Sequence, residues 1–191
     1  MATARRLAVC SAGGVEHDEL VREIRVATGR GDRRCAARQL LEGCQSSVLT
    51  SGDLKELIPD VWLRLDGPAG PGGALTTAEW VEIFRRANFF VQGPPIEFGD
   101  GPVELFRAAP RERARGMSWC TELRMAERFV RADDRWGRYE LWSAAVPTEA
   151  ILAALFRPDD GVFESPIGFA REIIVDPSRL SEPVPIIGPS S

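Results

Sequence analysis

Apolar residues recur at helical spacing through the first third of the chain. Leu20, Ile24 and Ala27 lie on one stripe of a predicted helix, the pattern of a helix with a single buried face. Helices are therefore predicted over residues 16–27 and 32–41, with Gly43 suited to the C-terminal end of the second.

A third apolar pattern covers residues 53–65 and contains Pro59. Proline in a helix interior removes a backbone donor and clashes with the preceding turn. The pattern is therefore interpreted as a helix followed by a short strand at residues 61–63. Together the three segments predict a helical N-terminal region.

Six of the eight residues 66–73 are glycine or proline, a composition typical of a flexible linker. This stretch divides the helical region from the segments that carry candidate chemistry. The predicted organisation is a helical region over residues 1–65, a linker over 66–75, a catalytic-type domain over 76–180 and an extended tail over 181–191.

Helical and strand patterns alternate irregularly after the linker. Thr76 and Glu79 have the spacing of a capping box, and the apolar positions that follow form one face. Helices are predicted over residues 76–88, 121–132 and 147–155, and strands over 103–109, 118–120, 138–146 and 170–176. Mixed strands and short helices at uneven spacing indicate an α+β fold.

Composition narrows the class of protein. The chain has 191 residues, 44% hydrophobic and 27% charged, with a net charge of −4, ordinary values for a soluble globular protein. The negative charge argues against general coating of nucleic acid. No apolar run reaches membrane-spanning length and no secretion leader is recognisable, so a cytoplasmic protein with reduced thiols is expected.

Metal and common nucleotide motifs are missing from the sequence. The four cysteines lack zinc-site spacing, and His17 is the only histidine, so no metal site is expected. Neither G-x-G-x-x-G nor G-x-x-x-x-G-K-[ST] occurs, which removes the main support for Rossmann and P-loop interpretations.

Arg107 is the first candidate for chemistry. Period-2 alternation puts it on the same strand face as Val103, Leu105 and Ala109, and a cation on an apolar face needs an anionic partner. The partner is either a ligand phosphate, which the planar guanidinium suits, or an internal carboxylate; outward snorkelling is the third alternative.

Ser118 and Glu172 are the second and third candidates. Gly116-Met117-Ser118-Trp119-Cys120-Thr121 places hydroxyl groups just before a helix, with Trp119 either walling a pocket for a flat ring or lying in the core. Glu172 lies on a largely apolar strand, sharing a face with Ile174. Burying such a carboxylate costs free energy unless it has a function or a partner. Glu172 is therefore either catalytic, or paired with Arg107, or on an edge strand facing solvent.

In this order the three segments resemble the mono-ADP-ribosyltransferases of the arginine–serine–glutamate type. The resemblance covers roughly residues 75–180 and is carried by residues 105–109, by 116–129 and by 170–177. It implies a split pair of bent sheets around an NAD cleft, with flanking helices, and an enzyme that cleaves the nicotinamide–ribose bond of NAD and transfers ADP-ribose. A bacterial or phage-encoded, toxin-like protein fits the size.

The resemblance also assigns roles. Arg107 would hold an NAD phosphate, Ser118 would fix the nicotinamide ribose and the glutamate, and Glu172 would bond the ribose 2′-hydroxyl and stabilise the oxocarbenium ion. No metal is required. The remaining residues expected beside NAD are Phe106, Ala108, Trp119, Thr121 and Phe129.

The acceptor is not identified by the sequence. The stretch before the glutamate strand, which contains Phe163 and Glu164, corresponds to the acceptor-contacting loop of the family, although Phe163 in the core is an equal alternative. Ala170 replaces the acid or amide that many arginine-modifying members carry, so that helper is missing. A protein, a nucleic acid or a small molecule remains open as acceptor.

Two other classes of function remain open. One is a catalytically silent relative that binds NAD or ADP-ribose. The other is an interaction protein whose N-terminal helices dock a partner. The arginines at positions 111, 113 and 115 form a loop that could meet nucleic-acid phosphates, or they form a solvated turn.

Overall fold

The computed structural model describes residues 13–63, 73–132, 139–158 and 169–186. Within them, five α-helices accompany one seven-stranded mixed sheet. The α+β class predicted from the sequence is therefore confirmed.

Three helices form the N-terminal region: α1 (Gly13–Gly29), α2 (Arg33–Gln45) and α3 (Ser51–Trp62). Asp32 caps α2, and Thr50 forms a capping box with Asp53 at the start of α3, which satisfies backbone donors that helix starts leave free. The predicted stripe of Leu20, Ile24 and Ala27 packs into the core.

Two details of these helices differ from the sequence predictions. Gly43 lies inside α2 instead of ending it, because its missing side chain lets Leu20 and Leu49 approach the helix. Residues 61–63 form no strand; α3 continues through Pro59 to Trp62. Extensive burial of this helix offsets the donor that Pro59 lacks.

Helix α4 (Thr77–Ala87) begins at the predicted Thr76–Glu79 capping box and buries Trp80, Ile83, Phe84 and Ala87, as its spacing predicted. Helix α5 (Leu123–Ala132) begins two residues later than predicted, so Thr121 precedes the helix without being its first neighbour. Ala126 is buried in α5 as expected, together with Met125.

The strands are β1 (Phe90–Val91), β2 (Val103–Ala109), β3 (Ser118–Cys120), β4 (Glu140–Val146), β5 (Ile151–Pro158), β6 (Phe169–Val175) and β7 (Val184–Pro185). Their order in the sheet is β1-β5-β6-β3-β2-β4-β7. The β1–β5 pair is parallel and the other pairs are antiparallel. The predicted strands at 103–109, 118–120, 138–146 and 170–176 correspond to β2, β3, β4 and β6.

The helix predicted over residues 147–155 is wrong. A short 3-10 turn (Thr148–Ala150) is followed at once by strand β5. Residues 151–156 are a continuous apolar run, which fits a short buried helix and a two-sided buried strand equally well. Strand β5 lies between β1 and β6 and is covered on both faces, so the run is explained by its position in the sheet.

The two faces of the sheet belong to two apolar clusters. Ala153, Leu155 and Ile174 pack with α1–α4, whereas Ala154 and Ile173 pack with residues of β2, β3 and β4. The N-terminal helices therefore share one core with the sheet. Most of the predicted linker lies outside the described residues, but Ala74 and Leu75 at its end are buried in that same core.

Candidate functional site

The three segments singled out from the sequence occupy neighbouring strands. In the sheet order, β6, β3 and β2 lie side by side and carry Glu172, Ser118 and Arg107 respectively. Cys120 pairs with Glu172 across β3 and β6, and Phe106 pairs with Cys120 across β2 and β3. Residues far apart in the sequence are thus brought into one strip of the sheet.

The junction between β2 and β3 is a single residue pair. Phe106 and Cys120 are its only partners; continued register would have placed Ala108 opposite Ser118. Instead the Ser118 carbonyl accepts a hydrogen bond from Nη1 of Arg107, and the Arg113 carbonyl accepts one from Nε at 3.3 Å. The Arg107 side chain therefore fills the opening where the two strands separate.

Arg107 is held closely by its surroundings. Any Cβ at Gly116 would overlap the guanidinium, so glycine at this turn is what allows the side chain to lie there. Burial lowers the pKa of Arg107 to about 10, although the nearby charges of Glu172 and Tyr139 act to raise it. The group remains a cation near neutral pH.

Arg107 and Glu172 do not form a direct ion pair. Both lie in the described part of the chain, where no nitrogen–oxygen contact within 4.0 Å joins them. The charge of Glu172 nevertheless acts to raise the pKa of Arg107. The structural pair weighed from the sequence is therefore not what satisfies either residue. The Arg107 guanidinium is held by the Arg113 and Ser118 carbonyls instead.

Glu172 instead takes a hydrogen bond from the N-terminal region. The indole Nε1 of Trp62, in the last turn of α3, donates to Glu172 Oε1 at 2.8 Å. Trp62 is 1% exposed and lies edge-on to Trp80 and Phe84, at centroid distances of 5.0 and 5.2 Å. The Glu172 carboxyl is half-buried and is anchored on one oxygen by a rigid aromatic cluster.

Alternation along β3 separates its three side chains. Ser118 and Cys120 share the face of Glu172, whereas Trp119 is 2% exposed in the opposite cluster and donates to the Gly116 carbonyl at 2.7 Å. Trp119 thus occupies the core position weighed as the alternative to a pocket wall. Directly opposite Glu172 stands Cys120, with Ser118 one step along the same face.

Cys120 is a neutral thiol in this setting. Burial raises its pKa to about 11, and the carboxylates of Glu122 and Glu172 act in the same direction. Its Sγ donates to the Phe106 carbonyl at 3.3 Å. The thiol therefore supports the strand junction and is not an activated nucleophile.

The other residues expected beside NAD surround this strip. Phe106 lies on the Glu172 side of β2 by register, and Ala108 follows two residues later on the same face. Thr121 directly follows β3, and Phe129 lies on α5, which packs against β2. All four are half-buried. The predicted acceptor residues, Phe163 and Glu164, lie outside the described residues.

Two residues at the site were missed by sequence reasoning. Trp62 lies 110 positions from Glu172, beyond the linker, and no local pattern relates the two. Cys120 was quoted within the middle motif but not as a site residue; its place opposite Glu172 follows from the pairing register, and the alternation of β3 and β6 alone does not determine that register.

The basic loop after β2 is partly neutralised. Arg111 lies 3.7 Å from Glu140, and Arg115 donates to the Leu180 carbonyl at 2.6 Å and lies 3.8 Å from Glu182. These contacts favour the interpretation of this loop as a turn fastened to the protein over that of a free phosphate-binding patch.

The remaining surface features lie elsewhere. A groove of about 700 Å³ runs between α4 and the turn after β6, away from the strip of Arg107, Ser118 and Glu172. Among residues 13–63, 73–132, 139–158 and 169–186, no cluster of three or more His, Cys, Asp or Glu could hold a metal ion. No helix in those ranges combines the length and apolarity needed to cross a membrane.

Comparison of the chain with known protein families, with curated proteins and with solved structures gave no match.

Proposed function

We propose that this protein is an NAD-dependent mono-ADP-ribosyltransferase with Arg107, Ser118 and Glu172 at its site. One observation carries the proposal. The three motifs chosen from the sequence lie on three adjacent strands, and although alternation along β2 starts Arg107 on the face opposite to Glu172, its guanidinium reaches the Ser118 carbonyl at the junction of β2 and β3. The single residue pair between β2 and β3 is compatible with the split between two sheets that the resemblance implies, but the seven strands form one sheet.

The chemistry required is charge stabilisation at a breaking glycosidic bond. The C1′–nitrogen bond of NAD breaks, nicotinamide leaves as a neutral base with the bonding electron pair, and positive charge develops at C1′. A carboxylate beside the ribose lowers the energy of that transition state. Glu172 suits this role because Trp62 holds one of its oxygens, and a side chain that is only half-buried remains reachable.

Arg107 suits the diphosphate of NAD. Its guanidinium stays protonated near neutral pH despite burial, and arginine binds phosphate oxygens through a planar set of donors. The hydrogen bonds to the Arg113 and Ser118 carbonyls fix its orientation. Because Ser118 supplies one of these carbonyls, the middle motif positions the arginine as well as lining the site. The acceptor nucleophile then attacks C1′ and loses its proton.

Nicotinamide release from NAD tests the proposal directly. We expect Glu172→Gln to reduce release by at least about 100-fold and Arg107→Ala to raise the KM for NAD strongly. Exposed Glu104→Gln on β2 and Arg111→Ala in the basic loop are matched controls that keep wild-type rates. A purified protein that folds, binds no NAD and releases no nicotinamide would contradict the proposal.

A catalytically silent NAD- or ADP-ribose-binding module is the second candidate. Two observations favour it: Glu172 Oε1 and two nitrogens of Arg107 already have protein partners, and Ala170 stands where a helper residue is common. Calorimetric binding of NAD without any nicotinamide release, in the presence of candidate protein, nucleic-acid and small-molecule acceptors, would support this candidate over the enzyme.

A further inference from the structure

The contact between Trp62 and Glu172 has no counterpart in the sequence-based assignment of the site. Trp62 belongs to α3, in the region predicted to be separate from the catalytic-type domain, yet its Nε1 lies 2.8 Å from Glu172 Oε1. We propose that Trp62 is the positioning residue for Glu172, so that the N-terminal helices complete the site. This inference rests on the proposed function.

The surroundings of Trp62 explain why it can position a carboxylate. The indole is 1% exposed and is clamped edge-on by Trp80 and Phe84 of α4. A side chain locked by packing holds its hydrogen-bond donor in one place. Such a donor limits the rotation of the long, flexible glutamate side chain, which would otherwise sample several rotamers.

The geometry leaves one carboxylate oxygen for the ligand. The indole nitrogen is a donor only and is bonded to Oε1, so we assign Oε2, which accepts no hydrogen bond from the described residues, to the ribose. The transition state needs the carboxylate in a fixed position, because a small displacement of a catalytic group has a large effect on rate.

The other groups around Glu172 do not perform this task. Across β5, Leu155 is apolar and fully buried, and across β3 the Cys120 thiol donates to the Phe106 carbonyl. Arg107 is within electrostatic range but is bonded to the Arg113 and Ser118 carbonyls. Among the described residues, Trp62 is the one whose hydrogen bond reaches the carboxylate.

Trp62→Phe removes the donor while keeping an aromatic ring in the cluster. We expect kcat for nicotinamide release to fall roughly 10- to 100-fold with little change in the KM for NAD, because Trp62 is buried and would act only through Glu172. Phe90→Leu is the matched control: Phe90 lies in the same apolar core and stacks on Phe84, but it makes no ring contact with Trp62, so its kcat stays near wild type.

A double-mutant cycle separates positioning from general damage. If Trp62 acts only through the carboxylate, adding Trp62→Phe to Glu172→Gln produces no further loss of the residual rate. Equal losses in both backgrounds, or a kcat loss in Phe90→Leu as large as that in Trp62→Phe, would overturn the inference and indicate a packing role.

The contact itself has a readout independent of turnover. The Trp62 indole N–H proton resonance, assigned by its absence in Trp62→Phe, should move in Glu172→Gln because the bond to a charged acceptor is lost. An unmoved resonance would overturn the inference whatever the enzyme assay gives. If the wild-type protein releases nicotinamide and Trp62→Phe releases it at the same rate, the positioning role is refuted and the proposed function is not. If the wild-type protein releases none, the proposed function is refuted and this inference with it.

Discussion

At the scale of single residues, the candidate site depends on a glycine whose missing side chain leaves room for Arg107. Gly116 lies in the turn before β3, and a methyl group there would occupy the volume of the Arg107 guanidinium. The guanidinium is the far end of a flexible side chain, so the protein could relieve the overlap by moving it. The displaced guanidinium would then lose both its hydrogen bonds to the protein and its alignment for a ligand.

Gly116→Ala should therefore weaken both the stability of the protein and its affinity for NAD. We expect a loss of about 1–2 kcal/mol in the free energy of unfolding, from the hydrogen bonds of Arg107 to carbonyls, and at least a roughly 10-fold weaker affinity for NAD. Urea unfolding and calorimetry measure the two quantities. Gly99→Ala, where an added methyl meets nothing within 4 Å, is the control. Unchanged NAD affinity in Gly116→Ala would argue against Arg107 as the phosphate ligand.

At the scale of secondary-structure elements, a glycine in α2 allows two neighbouring segments to pack closely against the helix. Gly43 is buried in α2. The side chains of Leu20 from α1 and Leu49 from the following turn occupy the volume that a Cβ at Gly43 would need. The close approach of these elements explains why a residue with poor helix propensity is found within the last turn of α2.

Gly43→Ala should destabilise the protein although alanine favours helix. We expect the overpacking to cost about 1–3 kcal/mol, measured as a lower urea midpoint. Gly29→Ala at the end of α1 has open space around it and should be neutral or stabilise by up to about 1 kcal/mol. A stabilised Gly43→Ala protein would mean that α1 and α2 lie further apart than described.

The end of β6 is joined to α4 by a buried carboxylate. Asp176, with a side chain 3% exposed, accepts from the Ser178 amide and hydroxyl at 2.9 and 2.7 Å and pairs with Arg85. Burial acts to raise the pKa of Asp176, but the hydrogen bonds from Ser178 and the charge of Arg85 outweigh it, and the pKa lies below its ordinary value.

This pairing predicts that part of the free energy of unfolding is lost at acidic pH. Because the folded pKa of Asp176 is depressed, its contribution is present above the unfolded value and is lost as the pH falls through the folded value. Asp176→Asn should cost about 1–2 kcal/mol at pH 6, less than a fully buried pair because Arg85 is 51% exposed. The difference from wild type in urea unfolding should close below about pH 4; a difference constant with pH would contradict it.

Elements with one-sided periodicity were predictable from the sequence, and those buried on both sides were not. Helix α4 and strand β2 each show a clear apolar face, and both were predicted close to their observed bounds. Strand β5 has an apolar run without alternation, and its strand character depends on the neighbours β1 and β6. The contact of Trp62 with Glu172 joins distant segments, and no single-sequence pattern encodes it.

At the scale of the whole molecule, the N-terminal helices and the sheet form one apolar core. Ile24, Leu40 and Trp62 belong to the same buried cluster as Leu155 and Ile174 of the central strands. Separating the chain at the glycine- and proline-rich segment would expose the helix-facing side of the sheet to water, and exposed apolar area costs about 25 cal/mol per Å².

A fragment beginning at residue 73 should therefore fail to fold cooperatively. Calorimetry and urea titration should show no sharp transition for the fragment, whereas the full chain unfolds in one. Adding residues 13–63 as a separate chain should restore part of the transition by reassociation. A fragment that unfolds sharply by itself would show that the division predicted after residue 65 also marks an independent folding unit.

The Trp62–Glu172 hydrogen bond also has a consequence for when the proposed site forms during folding. Its two ends are 110 residues apart, and contacts of such separation form late because a long loop must first close. A chain growing from a ribosome would carry α3 long before β6 emerges. The proposed site would then be complete only when the last strands add to the sheet, so an incomplete chain would remain inert toward NAD.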